Sequence, residues 1–214
     1  MGLNWVEQGL FIGVNFLLFL MAVVVHEVSH GVVANYLGDP TARQAGRLTL
    51  NPLKHIDPVG TILLPLIMRL LNAPFVFGWA KPVPVDYRNL AHPKRDMFWI
   101  GAAGPASNFL LAILIALFLK VAGGRVPALG ALLLQYLAFI NLILALFNLL
   151  PVPPLDGSRL LVGLLPMRWA RAVLRLERWG ILILLALMYS GLVDRLLWPA
   201  VSGLARWLGL SLST

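Results

Sequence analysis

The chain contains no cysteine among its 214 residues, which excludes disulfide staples, thiolate metal sites and cysteine nucleophiles. Charge is scarce too: 12% of residues are Asp, Glu, Lys or Arg, against about 25% in soluble domains. Acidic groups are the scarcest, nine against 17 basic, so any chemistry has few carboxylates to draw on. No polar stretch is long enough to fold as a separate soluble domain. What remains is 59% hydrophobic. The composition predicts an all-α polytopic membrane protein, and its length has room for about four to six spans. The net charge of +8 then marks cytoplasmic loops and a lipid bilayer with anionic headgroups as the partner, with no nucleic acid.

The first apolar run, from about Gly9 to Tyr36, has no Lys or Arg ahead of it and reads as a span that stays, not a cleaved signal. Residues 39–58 are polar and turn-rich. Residues 59–78 are apolar but broken by Pro65, Arg69, Asn72 and Pro74, which suits a re-entrant or short tilted segment. GWAKPVPV at 78–85 alternates proline with apolar residues, a pattern that forbids a helix and fits an extended edge-like loop. Clean spans follow at 97–119 and 128–150. Arg168, Arg171, Arg175 and Arg178 within 166–178 predict a basic helix on the membrane surface, and 179–198 reads as a last span. The sum is a helical bundle of about four to five spans, one membrane-embedded domain over 1–214. Its core covers about 9–165, followed by a surface helix and last span at 166–214. If 59–78 does not cross, twelve basic residues collect on one side and four on the other, as the positive-inside rule requires.

Within the first span lies HEVSH at 26–30. Residues four apart share a helix face, so His26 and His30 can aim ring nitrogens at one ion. Glu27 lies beside that face, where it can take a proton from a metal-activated water. A catalytic zinc site needs a third protein ligand. Asp156 is the best candidate: it follows the inner end of the 128–150 span, and Pro151, Pro153 and Pro154 set a turn that returns it to the bundle. The remaining acidic residues fall at the wrong face, or nothing turns them back toward the membrane.

HEVSH in one span, GPASN (104–108) in a second and NLLPVPPLDG (148–157) closing a third resemble the site-2 protease family of intramembrane zinc metalloproteases. NPLKHIDP (51–58) and GWAKPVPV resemble its compact prokaryotic branch, without PDZ or CBS domains. The likeness covers roughly residues 15 to 165. It implies one zinc ion per chain on His26, His30 and Asp156, with Glu27 as general base. Asn148 matches an Asn that holds the substrate carbonyl or oxyanion, a role its neutral amide donor suits. It further implies a transmembrane protein or peptide substrate, cut near the cytoplasmic face of a prokaryotic cell membrane.

Asn108 reads first as a packing residue between spans and second as a direct site residue. His55 is a second ranked metal-neighbouring or substrate-binding candidate, because the resemblance brings its loop near the zinc; Asp57 is explained by the turn it starts. Two other functions compete. A non-catalytic metal-binding scaffold would have no use for Glu27. A metal transporter would need polar residues through the outer half of the bundle, where only Asn15, Asn108, Gln135 and Asn141 occur.

Overall fold

Regular structure is entirely helical in the computed structural model, which describes residues 5–71 and 78–210; no strand ladder occurs among them. Helix α1 (Trp5–Tyr36) runs 32 residues, and its 13–36 portion is long and apolar enough to cross a membrane. It ends at Gly38, whose φ of 109° lets the Asp39 N–H turn back to the Ala34 carbonyl at 2.9 Å. The buried Asp39 carboxylate then accepts from the N–H of Thr41 (3.1 Å) and of Asp86 (2.8 Å), the Thr41 hydroxyl (2.5 Å) and the Asn89 amide (2.8 Å). These bonds tie the end of α1 to a loop some 50 positions on. A single turn, α2 (Thr41–Gln44), follows.

The broken apolar stretch forms a π-type turn over Pro58–Leu63, six residues, continued by α3 (Leu64–Leu70), seven residues. At 1.5 Å per residue that is about 20 Å, too short for a hydrocarbon core of about 30 Å. Asp57 starts the turn by accepting from the N–H groups of Val59 and Gly60, the role the sequence assigned it. The stretch also leaves where it entered. Trp79 N–H reaches the Gly60 carbonyl at 3.1 Å, and the Thr61 hydroxyl donates to the Trp79 carbonyl at 2.8 Å. The described ends of the stretch therefore meet, as a re-entrant segment requires. The predicted breakers Asn72 and Pro74 lie outside the described residues. Residues 78–85 form neither helix nor strand, and are held by Lys81 N–H on the His55 carbonyl (2.9 Å) and Arg47 Nη2 on the Lys81 carbonyl (2.7 Å).

Helix α4 (Pro93–Ala122) is 30 residues and α5 (Ala128–Asn148) is 21. The predicted start at 97 is late by four residues, because buried Asp96 accepts the His92 N–H at 3.0 Å and stabilises an earlier first turn opened by Pro93. The two helices meet through Ala112, Ile115 and Ala116 against Ala138 and Leu142, small faces that let backbones approach closely. Leu110, Ile113, Leu114, Leu117 and Phe118 of α4 stay exposed, an apolar surface suited to lipid.

Beyond α5 come α6 (Asp156–Leu164), α7 (Met167–Leu176), α8 (Gly180–Tyr189) and α9 (Leu192–Trp207). Helix α7 carries Arg168, Arg171 and Arg175 on its exposed surface, with Arg178 in the next turn, matching the predicted basic helix. The predicted continuous last span does not form. The chain breaks at Ser190–Gly191 with a bend of 74°, where Gly191 takes a φ of 71° that an L side chain resists. Past the break, Val193, Leu197 and Val201 form a stripe at helical spacing that packs on Phe139, Ile143, Leu146 and Phe147 of α5. The described residues therefore hold three helices able to span a membrane, or four if the bent pair counts as one. Four reaches the lower end of the expectation and three falls one short of it.

Candidate metal centre

Helix periodicity sets His26 and His30 on one face of α1, and both are 5% exposed. Their Nε2 atoms are 3.0 Å apart, and the rings meet edge to face at 83°. Asp156 Oδ2 lies 2.9 Å from His26 Nε2 and 3.1 Å from His30 Nε2. Some 130 residues of sequence separate His26 from Asp156, and the proline-rich turn closes the gap. Within it Val152 N–H bonds the Leu150 carbonyl and Leu155 N–H the Val152 carbonyl, so Asp156 emerges as the first residue of α6. Glycines make the approach possible. A Cβ on Gly157 would sit 2.3 Å from the carbonyl oxygens of Leu149 and Leu150, and one on Gly104 would sit 2.5 Å from Nε2 of both histidines. The GPASN run therefore admits the α4 backbone against the site.

The donor set fits a divalent cation. His30 Nδ1 is 2.6 Å from the Ile100 carbonyl, which can only accept, so the ring proton sits on Nδ1 and Nε2 presents a lone pair toward the Asp156 carboxylate. Joining these atoms by hydrogen bonds instead would require a proton on both nitrogens of each ring, placing two like charges 3.0 Å apart. A tetrahedral zinc with bonds of about 2.0–2.1 Å has ligand-to-ligand edges of about 3.3 Å, and the observed edges of 2.9–3.1 Å come close. The other Asp156 oxygen, Oδ1, faces Arg159 Nη1 at 3.6 Å. Arg159 escaped the sequence reading, although its i,i+3 spacing from Asp156 is a readable signal.

Other expected residues fall as follows. Glu27, beside the cluster on α1, accepts the Val83 N–H on Oε2 at 2.8 Å. Asn148, the last residue of α5, donates Nδ2 to the Leu144 carbonyl at 2.9 Å. Asn108 is fully buried with its Oδ1 2.6 Å from His26 Nδ1, so it both packs between helices and touches a ligand ring. His55 is also fully buried but outside the cluster: Nε2 meets the Thr49 carbonyl at 2.9 Å and its own carbonyl receives Lys81. It braces the 49–55 loop against the 78–85 segment. Among the described residues, His26, His30 and Asp156 make up the group of potential ligand atoms lying within 4.8 Å of one another.

Comparison with known proteins finds metalloprotease relatives. The model of peptidase family M50 matches residues 120–190. The "Putative zinc metalloprotease YwhC" of Bacillus subtilis (strain 168) is 39% identical over 191 residues, covering 86% of this chain and 83% of its own. Rip2 of Mycolicibacterium smegmatis, named with the same description, is 29% identical over 83% of this chain and 67% of its own. Zinc metalloprotease MJ0392 of Methanocaldococcus jannaschii is 26% identical over 78% of this chain and 39% of its own. No solved structure matches. With two imidazoles and a carboxylate gathered among apolar helices and a relative this similar along nearly the whole chain, the protein belongs to peptidase family M50, the site-2 protease family of membrane zinc metalloproteases.

Proposed function

We propose that the chain is an intramembrane endopeptidase hydrolysing peptide bonds of transmembrane protein substrates near the cytoplasmic face of a prokaryotic cell membrane. Release of membrane-held regulators and clearance of signal-peptide remnants are the outcomes such cleavage serves. Residues 9–165 form the catalytic core of a single domain over 1–214. The observation that carries the reading is the meeting of His26 and His30, on a helix long and apolar enough to cross a membrane, with Asp156 at the start of α6 in one buried site.

A zinc ion held by these three side chains would polarise the scissile carbonyl and lower the pKa of a neighbouring water. Glu27 takes that water's proton and returns one to the leaving amine. The Val83 N–H fastens Oε2, which leaves Oε1 for the proton work. Asn148 spends one amide hydrogen on Leu144, and its second donates to the carbonyl oxygen as negative charge builds.

A substrate helix hides its amides in its own hydrogen bonds and has to unwind first. The 78–85 segment is the surface that receives it. Its Trp79, Lys81 and Val83 N–H groups already bond inward, Arg47 donates to the Lys81 and Pro82 carbonyls, and Pro84 contributes a carbonyl with no N–H beside it. Its outer edge therefore accepts hydrogen bonds and suits the N–H groups of an unwound strand. The cytoplasmic orientation is supported by twelve basic residues against four, a count that requires a non-crossing 59–78 segment, and the feet of that segment are joined.

The decisive test is Glu27→Gln in detergent with a transmembrane model substrate. Cleavage falls by at least about a hundredfold while bound zinc stays at one per chain. Unchanged cleavage would remove Glu27 from the chemistry.

A further inference from the structure

We propose that Asn108 and Asn141 form a positioning relay that fixes the His26 ring proton on Nδ1 and so sets how tightly the centre holds its metal. The inference rests on the metal-centre reading above and adds two residues that touch neither the ion nor the substrate.

The relay can be read bond by bond. Asn141, on α5, donates Nδ2 to the Leu137 carbonyl at 2.8 Å. A carbonyl only accepts, so the Asn141 amide cannot flip, and its Oδ1 points to Asn108. Asn108, on α4, donates Nδ2 to that Oδ1 at 2.6 Å and to the Ala22 carbonyl of α1 at 3.2 Å. Flipping Asn108 would set its Oδ1 against two acceptors, so this amide is locked as well. Its Oδ1 is thereby committed to accept, and among the described residues the donor offered is His26 Nδ1–H at 2.6 Å. The Nε2 lone pair is left facing Asp156 Oδ2 and His30 Nε2.

Both asparagines are fully buried, so no water competes for these bonds. His30 reaches the same tautomer through a single main-chain carbonyl, Ile100. His26 has no such carbonyl on Nδ1, and two amides in series do the equivalent work. Helix knitting alone would need hydrogen bonds but not this polarity. A ligand ring whose second nitrogen is held this way is a better electron donor and needs no tautomer change on binding.

The test measures zinc affinity by chelator competition on the full chain in detergent, alongside thermal stability. Asn108→Leu removes the acceptor and weakens zinc binding by about 10–100-fold. Asn108→Asp keeps an acceptor for the His26 N–H while losing amide donors, and holds zinc within about threefold of the parent even if it melts earlier. Asn141→Leu leaves Ala22 to hold Asn108 and gives a smaller loss than Asn108→Leu. Parent-like affinity in folded Asn108→Leu overturns the relay. Should that variant not fold, zinc held by Asn108→Asp more tightly than by Asn141→Leu supports it, and any other order overturns it. Failure of the metal reading is distinct: the parent then binds no zinc, or His30→Ala binds it as tightly as the parent.

Discussion

At the scale of single residues, the centre depends as much on what is missing as on its ligands. Gly104 has no side chain where a Cβ would fall 2.5 Å from both Nε2 atoms. Gly104→Ala should push α4 away from α1, costing about 1–3 kcal/mol through overpacking and lowering zinc content. A folded Gly104→Ala with full zinc by metal analysis would show that the approach is not required. His26 and His30 were legible because a helix turns their spacing into a shared face without any partner. Asp156 was legible because prolines at 151, 153 and 154 announce a returning turn. The Asn141–Asn108 chain was not, since it acquires its meaning from neighbours that only tertiary packing supplies, 33 to 82 positions away.

At the scale of elements, the ends of helices decided what the sequence concealed. Hydropathy places a span but says little about its caps, so the start of α4 was hidden in a polar His92–Asp96 bond. The break at Gly191 was hidden in a run that is apolar on both sides. Asp39 shows what a cap can do at longer range. Burial raises its pKa, but hydrogen bonds from Thr41, Asn89 and the N–H of Asp86 and Thr41 outweigh this and hold it below the usual carboxylate value. A carboxylate depressed on folding stabilises the fold at neutral pH, and the contribution is lost as pH falls below about 4 toward the lowered value. Asp39→Ala should cost about 1–3 kcal/mol at pH 7 from the donors it strands. Melting curves at pH 7 and pH 3 should show that gap narrowing in acid; a gap constant with pH would assign Asp39 a packing role only.

At the scale of the whole molecule, the absence of cysteine becomes an experimental advantage. Single replacements Arg88→Cys and Arg171→Cys place a thiol on the proposed cytoplasmic side, and Arg125→Cys places one on the other. In intact cells an impermeant maleimide should label position 125 alone, with 88 and 171 reacting after lysis. Labelling of position 88 in intact cells would invert the topology proposed from the charges. The number of spans was the least legible global property, because composition measures apolar length while packing decides whether a run continues straight, as α4 does, or bends through 74° onto its neighbour.

The stitch between Gly60 and Trp79 has a consequence for how this architecture tolerates change. A stretch closed at its base behaves as an appendage: a change in the length of α3 leaves both anchor points in register. Length variation there is uncoupled from Val83, whose N–H holds Glu27, so this appendage can drift in size without retuning the buried cluster beside it.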